Sequence, residues 1–168
     1  MEKLIKAWFI ITLITFVLFK LGETMTAAYT ETAGEGNPYV LVLLIGWPFV
    51  LLFIWITIRL ARRAVESVHR LGRVGLLAGS LVMAGIGLYI NAGQAASLRA
   101  GIRASENAAY ASGWNQFTNI IYANQLTFFV LTVSCMAIGV AFSFVTRKQT
   151  NEERLVEPFL VLVHCNLF

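Results

Sequence analysis

Four stretches of apolar residues, separated by polar segments, organise this chain. They cover residues 4–21, 39–60, 74–91 and 126–146. A helix rises about 1.5 Å per residue, so about 20 apolar residues cross a hydrocarbon core of about 30 Å. The pattern therefore predicts an all-α integral membrane protein. We expect residues 1–148 to form a bundle of four transmembrane helices, followed by a tail of residues 149–168.

The first stretch has a charged start, which is also typical of a secretory signal peptide. No small-residue cleavage motif follows it. Lys6 and Lys20 lie near its two ends, where long basic side chains reach polar surroundings. We therefore expect an uncleaved transmembrane helix here.

The distribution of Lys and Arg predicts how the helices are oriented. Cytoplasmic segments of membrane proteins carry an excess of these residues. With a cytoplasmic N terminus, ten of the thirteen lie inside, and only Lys20, Arg99 and Arg103 lie outside. The inverted orientation reverses this bias. We expect a multi-pass protein of a cell membrane with both termini in the cytoplasm, and the composition favours a bacterial inner membrane.

The two predicted outer segments differ in character. Residues 22–38 are acidic and rich in Thr and Gly, which is typical of a solvated, flexible connection. Residues 92–125 are longer, and aromatic and apolar residues recur there at a spacing of three to four. This spacing predicts an amphipathic helix on the outer membrane surface. The alternative is that the third and fourth helices project beyond the bilayer. The periodic residues are Tyr110, Trp114, Phe117, Ile121 and Tyr122.

Small residues mark one face of the third predicted helix. Gly75, Gly79 and Gly87 are separated by multiples of four residues. Glycines at this spacing let the backbones of two membrane helices approach closely. The pattern predicts helix packing, either inside one chain or between copies in a homo-oligomer.

Composition limits the chemistry that is available to this protein. The chain is 58% hydrophobic and 13% charged, whereas soluble domains carry about 25% charged residues. All nine acidic residues are Glu, which excludes Asp dyads and Asp-based metal or phosphotransfer sites. The sequence contains no C-x-x-C, G-x-S-x-G or H-E-x-x-H motif. We expect no enzyme activity, no cofactor and no metal.

The segment between the second and third stretches is the most regularly charged part of the sequence. Read as a continuous helix, it places its charged residues on one face and apolar residues on the other. Two interpretations stay open: contact with anionic lipid, or docking of an acidic cytoplasmic protein. Nucleic acid is disfavoured because no aromatic residues interleave the charges. The basic residues are Arg59, Arg62, Arg63, Arg70 and Arg73.

The predicted tail begins with polar residues and continues as an apolar run that is too short to span a bilayer. Such a run would be prone to aggregate in water. We therefore expect it to be covered by the membrane, by its own bundle or by a partner. The residues expected to make these contacts are Leu155, Phe159, Leu160, Leu162 and Phe168.

These patterns favour a non-catalytic inner-membrane subunit that anchors, or signals to, a cytoplasmic partner through the basic segment and the tail. Oligomeric envelope complexes provide suitable settings, for example anti-phage defence, immunity or exclusion, or a secretion-type assembly. The alternative is a homo-oligomeric channel or pore built around the glycine-rich third helix.

Overall fold

A computed structural model describes the backbone of residues 2–32 and 36–165 and the side chains of that range through residue 145. These residues form helices and turns, with no strand among them. A 3₁₀ turn, Ala108–Tyr110, follows the third helix. The five α-helices are α1 (Glu2–Thr24), α2 (Tyr39–Ala64), α3 (Arg70–Arg103), α4 (Asn119–Tyr122) and α5 (Gln125–Cys165).

Four helical segments are long and apolar enough to cross a membrane: α1, α2, α3 and Asn119–Val145. The four predicted stretches all fall within helices. All four helices extend beyond the predicted stretches, and two extend furthest: α3 continues past residue 91 to Arg103, and α5 continues past residue 146 to Cys165. The segment that we predicted as a tail thus begins inside α5.

Helix α5 is the centre of the bundle. It packs against α2 and α3 and also contacts α1, while α1 packs against α2. Glycine allows the closest of these approaches. A Cβ atom at Gly139 would lie 2.5 Å from the carbonyl oxygen of Ile58 in α2, and one at Gly87 would lie 2.5 Å from a methyl group of Val130. Any larger residue at either position would push α5 away from its neighbour.

Aromatic and branched side chains fill the space between α1, α2 and α5. Phe53 is fully buried, and it forms a core cluster with Ile11 and Ile56, which are also buried. The ring of Phe128 lies 5.3 Å from that of Phe53. Large apolar side chains on the opposite faces of these helices stay exposed. In α3, only 11% of the most apolar stretch is buried, so most of its apolar surface is free to face lipid.

The segment between α3 and α5 corrects our prediction of an amphipathic helix. It forms the 3₁₀ turn, further turns and the four-residue helix α4. Gly113 has a φ of 79°, which a right-handed helix excludes. The backbone N–H of Phe117 donates to Asn115 Oδ1 at 3.0 Å, and Thr118 Oγ1 donates to the carbonyl of Gly113 at 3.1 Å. These side chains satisfy backbone groups locally, so a helix gains little there.

The connection between α1 and α2 is also more ordered than its composition predicts, within its described residues. The backbone N–H of Ala27 donates to the carbonyl of Gln116 at 2.9 Å. Asn107 Nδ2 donates to the carbonyls of Tyr29, at 2.9 Å, and Glu31, at 2.8 Å. The two connections therefore fold together at one end of the bundle. We call residues 25–32, 36–38 and 104–124 the asparagine cap.

Candidate functional site

The end of α2, the start of α3 and the chain that joins them, together residues 59–73, form what we call the arginine turn. Helix α2 ends at Ala64 and α3 begins at Arg70, so the predicted continuous helix is wrong. His69 has a ψ of 151°, outside the helical range, and its Nδ1 accepts a hydrogen bond from the backbone N–H of Leu71 at 3.4 Å. It caps the new helix, and the arginines lie on two helices instead of one face.

Arg73 lies inside the protein, with only 4% of its surface exposed. Its Nε donates to the carbonyl of Val68 at 2.9 Å, and its Nη2 donates to that of Glu66 at 2.6 Å. Nη1 reaches the carbonyl of Ser143, in α5, at 3.5 Å. The guanidinium of Arg73 therefore links the backbone of the turn to α5 by hydrogen bonds. Carbonyl oxygens satisfy its donors where burial would otherwise be costly.

The remaining arginines of the turn face outward. Arg59, Arg63 and Arg70 are exposed and Arg62 is half-buried. The guanidinium of Arg59 lies 5.1 Å from the ring centre of Trp55, a cation–π contact. Two ion pairs form among the described side chains, Lys6–Glu2 and Lys20–Glu23, and neither involves the turn. The arginines of the turn thus form no ion pair with the side chains that the structure describes.

The three glycines predicted to mediate helix packing lie in different surroundings. Gly87 is buried against α5, whereas a Cβ atom at Gly75 or Gly79 would meet nothing within 4 Å. Packing inside the described chain uses Gly87 alone of the three. A role of Gly75 and Gly79 between copies stays a prediction.

The predicted contact residues of the tail lie outside the described side chains. Their contacts with lipid, bundle or partner therefore stay predictions. They are Leu155, Phe159, Leu160, Leu162 and Phe168.

The asparagine cap is built around a pair of amides. Asn37 Nδ2 donates to Asn119 Oδ1 at 2.7 Å, and Asn119 Nδ2 donates back to Asn37 Oδ1 at 2.9 Å. Asn119 Oδ1 also accepts from the indole N–H of Trp114 at 2.8 Å. Ile102 and Phe117, both fully buried, form a small apolar core beside this network. The cap therefore has its own polar and apolar interior.

An aromatic row joins the cap to α2. The rings of Tyr39 and Trp114 lie 6.2 Å apart, as do those of Trp114 and Tyr122. The hydroxyl of Tyr39 donates to the carbonyl of Leu18 at 3.2 Å, and Arg99 Nη2 donates to the hydroxyl of Tyr122 at 3.3 Å. Sequence reasoning missed this arrangement. The repeated Asn residues between 91 and 124 were the available signal, because Asn favours turns and side-chain to backbone hydrogen bonds.

A cavity of about 440 Å³, lined by both polar and apolar side chains, opens between α1, α3, α4 and the start of α5. Its polar lining includes Glu23, Asn91, Gln94 and Asn124. Glu23 already pairs with Lys20 at 2.9 Å, and Asn124 Nδ2 donates to Asn91 Oδ1 at 3.1 Å. Asn91 and Asn124 thus hold each other, Glu23 is held by Lys20, and the cavity lining lacks a nucleophile with an adjacent base. Among the described residues, no three His, Cys, Asp or Glu side chains come close enough to hold a metal ion.

Four helices that are long and apolar enough to cross a membrane fit the class of multi-pass helical membrane proteins. Comparison with protein-family models, characterised proteins and solved structures finds no match. The function must therefore be inferred from the arginine turn and the asparagine cap themselves.

Proposed function

We propose that this protein is a non-catalytic membrane subunit that holds an acidic protein partner at the arginine turn. One observation carries the proposal. Buried Arg73 fixes the backbone of the turn, while exposed arginines around it form no ion pair with the described side chains. The turn combines a fixed shape with unpaired positive charge.

The chemistry of arginine suits carboxylate groups on a partner. Its planar guanidinium forms two parallel hydrogen bonds to a carboxylate. A backbone that is already ordered lowers the entropy cost of binding. A single exposed ion pair contributes only about 0.2–1 kcal/mol, so specific docking needs several arginines together. Arg62, Arg63 and Arg70 provide three on one short segment.

The distribution of basic residues supports a cytoplasmic location for the turn. If the N terminus is in the cytoplasm, ten of the thirteen Lys and Arg residues are on the cytoplasmic side, together with the turn. A cytoplasmic acidic protein is then the partner whose charge and compartment fit. Anionic lipid is the rival, since each basic residue near such a surface contributes about 1 kcal/mol.

The test is extraction of the tagged full-length protein from its native host in mild detergent, followed by native mass spectrometry. We expect a stoichiometric soluble protein on the wild type. The triple variant R62Q/R63Q/R70Q should lose it, and the control K3Q/K6Q/R103Q, which removes equal charge elsewhere, should keep it. The proposal would be overturned in favour of lipid anchoring if the wild type carried no soluble protein and the triple variant lost only anionic lipid adducts.

A homo-oligomer, including a pore, is the second candidate, and one observation favours it. Gly75 and Gly79 face open space on α3, the helix with little buried apolar surface. Small residues at this spacing suit contact between copies. Leucine at both positions should separate the copies in native mass spectra, whereas G85L, off the line of these two glycines, should not. Ion flux from the purified oligomer in liposomes would support a pore.

A further inference from the structure

Two adjoining cavities lie along one half of α2, beside the asparagine cap. Their volumes are about 350 and 340 Å³, and both are lined by Leu43, Trp47 and Trp114. The larger one also touches Phe19, Val50 and Tyr122. Volumes of this size are typical of ligand sites. Together the cavities form an apolar groove with aromatic walls.

The groove has the depth of one leaflet of a bilayer. Tyr39 and Val50 line the larger cavity and are eleven residues apart in α2. At about 1.5 Å per residue they are about 16 Å apart along the helix. That distance is close to half of a hydrocarbon core of about 30 Å. A single extended acyl chain therefore matches the groove in length and polarity.

Two wall residues of the groove, Trp114 and Tyr39, are held by hydrogen bonds before anything binds. The indole N–H of Trp114 donates to Asn119 Oδ1 at 2.8 Å. Tyr39 is buried, with its hydroxyl bound to the carbonyl of Leu18 at 3.2 Å. Side chains that are already held lose little entropy when a ligand binds.

A positively charged side chain contacts one wall residue of the groove. Arg99 Nη2 donates to the hydroxyl of Tyr122, a wall residue, at 3.3 Å. Guanidinium groups bind phosphate well because their fork of donors matches its oxygens. The rim of the groove thus suits an anionic phosphate headgroup.

We propose that this groove binds one anionic phospholipid from the leaflet on the cap side. One acyl chain lies along α2 between Trp47 and Trp114, and the headgroup phosphate accepts hydrogen bonds from Arg99. The site is independent of the arginine turn, which lies at the other end of the bundle. Its lipid is held singly, in contrast to the general attraction of a basic surface for anionic lipid.

Native mass spectrometry of the full-length protein can count this lipid. The protein is released from nanodiscs that contain phosphatidylglycerol and phosphatidylcholine with identical chains. We expect one retained phosphatidylglycerol on the wild type. L43W, which fills the groove, should lose it, whereas L41W, an exposed position of α2 outside the groove, should keep it. If L43W does not fold, L44W fills the second cavity and replaces it.

The headgroup is tested separately. R99Q should lower the preference for phosphatidylglycerol over phosphatidylcholine about tenfold, since it removes a charge-assisted hydrogen bond. R103Q, one turn further along α3, should keep the preference, and R99K should restore part of it. Equal retention of the two lipids by the wild type, or retention by L43W equal to that of L41W, would overturn the proposal.

Discussion

The two ends of the bundle use polar residues in opposite ways. At the asparagine cap, neutral amides bind each other and the backbone, as the paired Asn37 and Asn119 do. At the arginine turn, Arg73 is buried and bonds to backbone carbonyls, whereas the other arginines form no ion pair with the described side chains. Polar groups that satisfy each other stabilise a structure, whereas unpaired charges on a fixed backbone remain available to a partner. This contrast is why we assign protein docking to the turn.

The largest effect should come from the centre of the cap. N119A replaces a fully buried residue and removes the partner of half-buried Asn37 and of the Trp114 indole. An unsatisfied buried group costs about 1–3 kcal/mol, so we expect a loss of roughly 3 kcal/mol of unfolding free energy. Denaturant unfolding in detergent measures it. The control is S112A, at an exposed position of the cap. An equal loss of unfolding free energy in both variants would contradict our claim that the amide pair is the centre of the cap.

A smaller effect should separate two arginines of the turn. R73M keeps the apolar stem but leaves three carbonyls without their donor, so we expect a loss of about 2 kcal/mol. R70M alters an exposed residue and should change stability by less than about 0.5 kcal/mol. Hydrogen exchange at residues 65–69 should rise in R73M alone. Unchanged exchange there would show that Arg73 does not brace the turn.

Packing near the arginine turn should respond to a single methyl group. G139A places a Cβ atom 2.5 Å from the carbonyl oxygen of Ile58, and such overpacking costs about 1–3 kcal/mol. G79A meets nothing within 4 Å and should stabilise α3 slightly, because alanine favours helix over glycine. Thermal unfolding followed by circular dichroism compares the two. A destabilised G79A would reveal a neighbour in an oligomer.

The smallest effect is a difference in salt dependence between the two ends. Salt screens exposed charges but not neutral buried amides, because the Debye length falls from about 10 Å at about 0.1 M to about 3 Å at about 1 M. The cost of N119A should therefore stay constant over this range. Retention of a soluble partner by the turn should fall. If the amount of retained partner did not change with salt concentration, docking through arginines would be contradicted.

Hydropathy alone predicted the four long helices, because crossing a membrane requires continuous apolar runs. It could not predict the cap, since Asn37 and Asn119 are 82 residues apart in sequence. Nor could spacing distinguish Arg73 from Arg70. The difference depends on the carbonyl of Ser143, 70 residues away in α5. Local pattern determined the four long helices, and contacts between distant segments determined which polar residues are buried.

Site-specific photocrosslinking in the native host compares the two ends most directly. A photoreactive amino acid replaces either Arg63, in the arginine turn, or Ser112, in the asparagine cap, and both positions are exposed. Docking at the turn predicts a discrete crosslink from position 63 to a soluble acidic protein and none to that protein from position 112. Crosslinks from position 63 to lipid alone, or to a protein that position 112 captures equally, would contradict it.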